Sequence, residues 1–292
     1  MTAKSAPGDA DLSEDESAVT KWQEAHRSAV AAGESHYRDP ATGLLVFTEV
    51  GLRRRGGCCG SGCRHCPYHH EEVDLGERGM RAQRPTWLAD PARPADQGVD
   101  ILFWSGGKDS LLAYRRLLRE GARPVVLLTT FSNATRRVAH QELHIDSVIR
   151  QAEALGVPLL GVPLHAGTPY VEHIAAALEL VPRVARIVFG DLHLEHIRHW
   201  RATALADLAR ARGAELHFPL WGAPYEALIA ELEASGVPCR VSAVSESVAG
   251  AVEVGDPFGR ELMGRLPEGV DAFGENGEFH TLAKVWEVGG GW

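Results

Sequence analysis

Three groups of residues in this chain have the types and spacing to do chemistry. The first is Ser105-Gly106-Gly107-Lys108-Asp109-Ser110. Adjacent glycines let a backbone approach a ligand without Cβ interference, and free N–H groups at a helix start favour an anion. Lys108 adds positive charge, so a phosphate group is the expected ligand. The second group is Cys58, Cys59, Cys63 and Cys66, four of the five cysteines in the chain, with His65, His69 and His70 close by. Gly56, Gly57, Gly60 and Gly62 give that loop freedom to wrap a centre, and thiolates this crowded repel one another unless a cation neutralises them. A bound metal is the expected resolution. The third is Glu275, Glu278 and His280, where two carboxylates flank the turn-forming Asn276-Gly277. They could take a proton, hold a metal or, as a purely structural network, stabilise the turn.

Spacing narrows these readings. The phosphate loop is not G-x-x-x-x-G-K-[ST], because Leu102 stands where that pattern needs glycine and Asp109 where it needs a hydroxyl; G-x-G-x-x-G fails as well. Cys59-x-x-x-Cys63-x-x-Cys66 has the spacing by which radical-SAM enzymes hold an iron–sulfur cluster, yet the eight-fold βα repeat expected around such a centre is absent. Zinc, with Cys58 or a histidine as fourth ligand, needs no redox chemistry, and free or redox-active thiols are the alternative to a metal. Gly190-Asp191 ends an apolar run before a helix beginning near His193; its carboxylate could hold Mg²⁺ on a polyphosphate or cap the helix. His193, His196 and His199 recur without an H-E-x-x-H pattern and read as a solvated face. Cys239 lies in an apolar strand and reads as core.

The elements that must position these groups follow from periodicity. Apolar runs at Ile101 to Trp104, Val125 to Thr130, Leu159 to Val162 and Ile187 to Phe189 alternate with helical patterns, which predicts a doubly wound parallel α/β sheet. In such sheets ligands bind outside the carboxyl ends of the strands. Ser105 to Ser110 lies at one such end. Thr129 to Ser132 lie at another, with Arg136 and Arg137 following within reach of phosphate or, alternatively, as solvated arginines of a polar loop. Upstream, Ser13 and Glu16 suggest a capping box for a helix to about Ala32, with Ala18, Trp22, Ala25 and Ala29 on one stripe and a docking role. Leu44 to Val50 reads as a strand.

The expected organisation is 1–36 acidic tail and N-terminal helix, with 1–12 disordered; 37–80 Cys-rich module; 81–98 proline-rich linker with Trp87 as anchor; 99–214 nucleotide-binding domain; and 215–292 smaller C-terminal α/β domain. At 292 residues, 45% hydrophobic and 24% charged, the composition is that of an ordinary soluble protein. The formal charge of −9 disfavours a broad nucleic-acid surface. No apolar run approaches the roughly 18 residues of a membrane span, and no signal-peptide stretch opens the chain, so a cytoplasmic location is expected.

Residue for residue, S-G-G-K-D-S matches the PP-loop of the N-type ATP pyrophosphatases, which the chain resembles. That resemblance implies an adenine nucleotide α-hydrolase-like domain binding ATP and Mg²⁺ through Ser105, Gly106, Gly107, Lys108, Asp109 and Ser110, with Thr130 where adenine and ribose usually sit. Further motifs are Q-A-E-A-L-G-V-P at 151–158, F-G-D-L at 189–192, F-P-L-W-G at 218–222, G-R-E-L at 259–262 and F-G-E-N-G-E-F-H-T at 273–281. Together they closely resemble the diphthine–ammonia ligase (diphthamide synthase) family. The implied activity is adenylation of a carboxylate acceptor, release of pyrophosphate and amidation by ammonia, with Lys108, Asp191, Glu275, Glu278 and His280 as catalytic candidates. Where relatives carry Pro-Cys before Gly-Glu-Asn, this chain has Ala272-Phe273, which removes any thiol role there. The C-C-x-x-x-C-x-x-C-P-Y segment resembles a short Cys-rich domain of uncharacterised function. A PP-loop tRNA sulfur transferase using the cysteines, and a nucleotide-binding regulator without turnover, are the competing readings.

Overall fold

The computed structural model describes residues 16–40, 42–89, 98–121, 123–139, 141–165 and 167–288, with the backbone alone for 16–20 and 75–76. The expected tail at 1–12, the Ser13 cap, the Ala18 side chain and the prolines at 91 and 94 lie outside these. The chain opens with helix α1 (Glu16–Ala31), then β1 (His36–Arg38) and β2 (Leu45–Phe47), which pair antiparallel. The strand expected to run to Val50 stops early because the Thr48 hydroxyl accepts the Gly51 N–H at 3.1 Å and caps α2 (Glu49–Arg53). Helix α3 (Leu75–Arg81) follows the cysteine loop.

The core is a six-stranded sheet built from β3 (Thr86–Ala89), β4 (Val99–Phe103), β5 (Val125–Ser132), β6 (Leu159–Leu164), β7 (Val184–Val188) and β8 (Glu215–His217). Its order is β3-β6-β5-β4-β7-β8, parallel except for β3, which runs antiparallel along β6. This is the doubly wound sheet expected from the apolar runs. Residues 86–89 fall in the stretch read as a linker; they form an edge strand because Trp87 and Leu88 are apolar enough to bury, at 5% and 0% exposure. Residues 215–217 extend the opposite edge.

The helices cover both faces. On one lie α4 (Lys108–Glu120) and α5 (Ile145–Leu155), each presenting leucine, isoleucine or valine at helical spacing and each ending on a left-handed glycine, Gly121 or Gly156. On the other lie α6 (Tyr170–Leu178) and α8 (Ala206–Arg212), the latter preceded by the exposed α7 (Glu195–Ala204). The C-terminal elements α9 (Tyr225–Glu233), β9 (Cys239–Val244), α10 (Arg260–Arg265) and β10 (Phe279–Ala283) share the core of the α4/α5 face, where β9 and β10 pair antiparallel. Cys239 is part of that core, as expected.

One charged pair sits inside the sheet. Asp100 on β4 is 1% exposed and accepts from Arg186 on β7 at 2.9 Å (Nε) and 2.5 Å (Nη2). Arg186→Ala would leave a buried carboxylate without its bidentate partner, and the expected cost is about 3–5 kcal/mol. Urea unfolding should report that loss, and a change below about 1 kcal/mol would show that the pair does little for the sheet.

Candidate active site

Between β4 and β7 the winding of the sheet reverses, and a crevice opens at the strands' carboxyl ends. Both loops that flank it carry residues singled out above. After β4 the chain passes through Ser105 to Gly107 into α4, with Gly106 at φ +83°, a conformation that favours glycine. After β7 comes Gly190, where a Cβ would stand 3.0 Å from the Asp109 carbonyl oxygen, so only glycine lets the two loops approach this closely.

A third wall comes from the far end of the chain. The Lys108 N–H donates to Thr281 Oγ1 at 3.1 Å, and the Ala283 N–H donates to the Gly106 carbonyl at 2.9 Å. Gln151 on α5 locks the junction: its Nε2 donates to Gly106 O at 2.8 Å and to Ala283 O at 2.7 Å, while its Oε1 accepts from the Trp104 indole at 2.8 Å. A cavity of about 180 Å³ remains between the phosphate-type turn and the 274–281 turn, lined by Gly107, Lys108, Asp109, Gln141, Glu275 and His280 among others.

Lys108 is not the mobile cation that its place in a glycine turn suggests. Its side chain is buried, its ammonium pairs with Asp109 Oδ2 at 2.8 Å, and the Phe258 and Phe273 rings lie 5.3 and 5.2 Å away. Two acceptors here have no hydrogen-bond partner, Asp109 Oδ1 and Gln141 Oε1. Burial pushes the Asp109 carboxyl upward against the pull of Lys108. Burial does the same to Glu275, and negative charge on Asp109, Asp271 and Asp191 adds to it, so that group is raised to about 8 despite Lys108.

The 271–279 turn is built by its own carboxylates. Asp271 Oδ1 accepts the N–H groups of Phe273 (2.8 Å) and Glu275 (3.2 Å), and Oδ2 accepts the Tyr225 hydroxyl at 2.7 Å. Glu278 turns inward: its oxygens accept from Asp271 N, Asn276 N and Asn276 Nδ2 at 3.0–3.1 Å. Its geometry is that of the turn-stabilising network, whereas Glu275 borders the cavity. His280 also lines the cavity.

Other candidates fall elsewhere. Asp191 is held by Arg201 at 2.7 and 3.1 Å, within electrostatic reach of Asp109 and Glu275; it does not cap α7, whose first cap residue is Leu194. Ser110 Oγ donates to Gly107 O at 2.9 Å, and Ser105 Oγ accepts the Gly107 N–H at 3.3 Å. Thr130 stands near the end of β5, partly exposed, its carbonyl taken by the Ala139 N–H. Arg136 does not reach toward phosphate: its guanidinium is buried and donates to Ala82 O at 2.7 Å. His196 and His199 face solvent as expected, while His193 reaches the Tyr225 hydroxyl at 3.1 Å. Gln151, Tyr225 and Arg201 were not singled out as individual site residues from sequence. Only Gln151 left a local trace, an amide on the apolar face of α5.

The four N-terminal cysteines stand as two pairs, Cys59–Cys63 with sulfurs 3.3 Å apart and Cys58–Cys66 at 3.8 Å. Among the described residues no group of three or more His, Cys, Asp or Glu side chains is gathered to hold a metal ion. The expected zinc or iron–sulfur ligand set at Cys58, Cys59, Cys63 and Cys66 is therefore not supported. The nearby histidines are engaged otherwise: His65 bonds the Tyr37 hydroxyl at 3.0 Å, His69 the Pro85 carbonyl and His70 the Cys63 carbonyl.

A parallel sheet with a glycine–lysine turn at its switch point is the architecture of a doubly wound nucleotide-binding domain of the PP-loop type. The family match is narrower: residues 99–206 fit the family described as diphthamide synthase N-terminal domain, a PP-loop ATP pyrophosphatase family of ATP-using enzymes, so the resemblance read from S-G-G-K-D-S is met over that stretch. Residues 25–72 match a family of unknown function. A crystal structure from Methanocaldococcus jannaschii, described as a predicted subunit of tRNA methyltransferase, is 18% identical, spans 50% of this chain and 79% of that one, and has a TM-score of 0.32. That likeness is too low to carry any inference.

Glu275 supplies a pH test. Since the folded protein holds its proton more tightly than the unfolded chain, it stabilises the fold below pH about 4.5, and this contribution is lost as the pH rises through about 8. Glu275→Gln should therefore gain stability relative to wild type over that window, by on the order of 2–4 kcal/mol at its upper end. Denaturation curves of both proteins across the window give the comparison, and a stability difference independent of pH would refute the shift.

Proposed function

We propose that the chain is an ATP-dependent, AMP- and pyrophosphate-forming ligase that turns a carboxylate into an amide with ammonia. What supports this most is the Lys108 N–H to Thr281 Oγ1 bond, which seats the G-E-N-G-E-F-H-T segment directly on the S-G-G-K-D-S turn at the sheet's switch point. Nucleotide chemistry and proton chemistry then share one crevice. In this reading residues 99–214 bind ATP and 215–292 complete the catalytic wall.

The turn from Ser105 to Ser110 holds the triphosphate, with the backbone of Gly106 and Gly107 and the lysine ammonium opposing charge that builds on the phosphates. Thr130, at the carboxyl end of the neighbouring strand, stands on the nucleoside side. An acceptor carboxylate oxygen attacks the α-phosphorus, the bond to the bridging oxygen of the β-phosphate breaks, and pyrophosphate leaves. Ammonia then attacks the acyl carbon of the adenylate and AMP departs. Glu275 takes the proton lost by the attacking nitrogen, its raised pKa suiting a base that works near neutral pH. His280 lines the same cavity and is placed to relay that proton, while Glu278 acts through the turn that presents Glu275.

Mg²⁺ suits this site. The unpartnered Asp109 Oδ1 is a hard oxygen donor, and the carboxylates that crowd Glu275 call for a cation. Asp109 would hold it together with substrate phosphates, with Asp191 adding negative charge nearby. It would supply neutralisation of the polyphosphate.

The test is to incubate the protein with ATP, Mg²⁺, ammonia and a metabolite extract and to identify the products. AMP, pyrophosphate and a new primary amide are expected. Lys108→Met, which keeps an aliphatic side chain beside the two phenylalanines, should lower AMP formation by ~10²-fold or more with the fold retained. ADP and phosphate as products, or a fully active Lys108→Met protein, would sink the proposal.

A further inference from the structure

The cysteine loop has a geometry that nucleotide chemistry does not use. Residues 59–63 read Cys-Gly-Ser-Gly-Cys, and both glycines lie in the left-handed region, Gly60 at φ +70° and Gly62 at φ +64°. Two such turns within three residues fold the chain back on itself and bring the Cys59 and Cys63 sulfurs to 3.3 Å. At the second position a Cβ on Gly62 would stand 2.2 Å from Cδ of the half-exposed Arg81 side chain, which would have to move aside. At the first, a Cβ would come 3.0 Å from the Glu72 carbonyl oxygen.

The two thiols differ in accessibility. Cys59 is exposed, whereas Cys63 is partly covered. Behind them Cys58 and Cys66 stand 3.8 Å apart, with Cys66 buried, and Cys239 is sealed in the distant core. We propose that Cys59 and Cys63 form a reversible dithiol–disulfide site oxidised by hydroperoxides, with Cys59 as the attacking thiol and Cys63 as the resolving one.

The remaining chemistry supports this assignment. Hydrogen bonds from the Ser61 backbone and from Cys63, with the nearby Arg55 charge, lower Cys59 to about 7, while burial and the adjacent Cys59 raise Cys63 to about 11. The Cys59 thiolate attacks the outer oxygen of the hydroperoxide; the O–O bond breaks, an alkoxide or hydroxide leaves and takes a proton from solvent, and Cys59 becomes a sulfenic acid. The Cys63 sulfur then attacks the Cys59 sulfur, hydroxide leaves and takes up the thiol proton as water, and the disulfide closes. Two electrons pass from the two thiols to the peroxide. Closure needs the sulfurs to approach by only about 1.3 Å, to the ~2.0 Å of an S–S bond. A small-molecule dithiol returns both cysteines to thiols by exchange, itself becoming the disulfide.

The experiment uses the full chain, purified under reducing conditions, desalted and treated with one equivalent of hydrogen peroxide. Two of the five thiols should disappear. Peptide mass analysis should find a Cys59–Cys63 bridge, about two mass units lighter than the dithiol, and dithiothreitol should reverse it. Cys63→Ser should stop at a Cys59 sulfenic acid that dimedone traps. Native wild-type protein given limiting iodoacetamide should lose Cys59 at least ~10-fold faster than Cys63, which checks the assignment without a substitution. One equivalent of zinc or an iron–sulfur cluster held by these thiols in the purified protein would overturn the proposal. So would a Cys58–Cys66 bridge forming first, or thiols that ignore peroxide.

Discussion

The site depends on one buried amide. Gln151 is fully inaccessible, and its side chain satisfies the indole of Trp104 and the carbonyls of Gly106 and Ala283 at once. A glycine turn is conformationally free on its own, and that freedom works against holding any one shape. Three hydrogen bonds in a dry interior remove it, because each of those groups would be costly to leave unpaired. The bond to Ala283 also ties the final strand to the turn, alongside the Ala283–Gly106 and Lys108–Thr281 bonds that join the two directly.

Around that junction the structure gathers negative charge. Asp109, Asp271 and Asp191 lie close enough to Glu275 to push its carboxyl up, with Lys108 and Arg201 as the positive partners. Such crowding is unfavourable to folding, which marks this cavity as a candidate site. Asp271 and Glu278 meanwhile spend their oxygens on backbone N–H groups, and this division fixes the turn while leaving Glu275 at the cavity.

The N-terminal module is attached through rings rather than aliphatic core. His26 and His65 stack with centroids 3.5 Å apart, Trp22 leans on His65 and on His165 from the loop after β6, and Gln23 bonds His165 at 2.9 Å. Burial keeps His26 and His165 near 4, so these rings are neutral at ordinary pH and can pack without charge repulsion. Helix α1 thus docks the cysteine loop onto the sheet domain.

Much was legible in the residues themselves. Apolar runs and glycine punctuation marked β4, β5, β6 and β7 and the turn into α4, because strand burial and helix starts are local properties of a short window. The edge strand at 86–89 was hidden by its proline-rich surroundings. The tertiary structure alone decided which polar groups meet. Gln151 finds Ala283 across 132 positions and Lys108 finds Thr281 across 173. It buried Lys108, turned Arg136 toward Ala82, gave Asp191 to Arg201, and sorted the four cysteines into pairs. A hydrogen bond has a range of about 3 Å, and sequence separation says nothing about which two groups the packed core will bring that close.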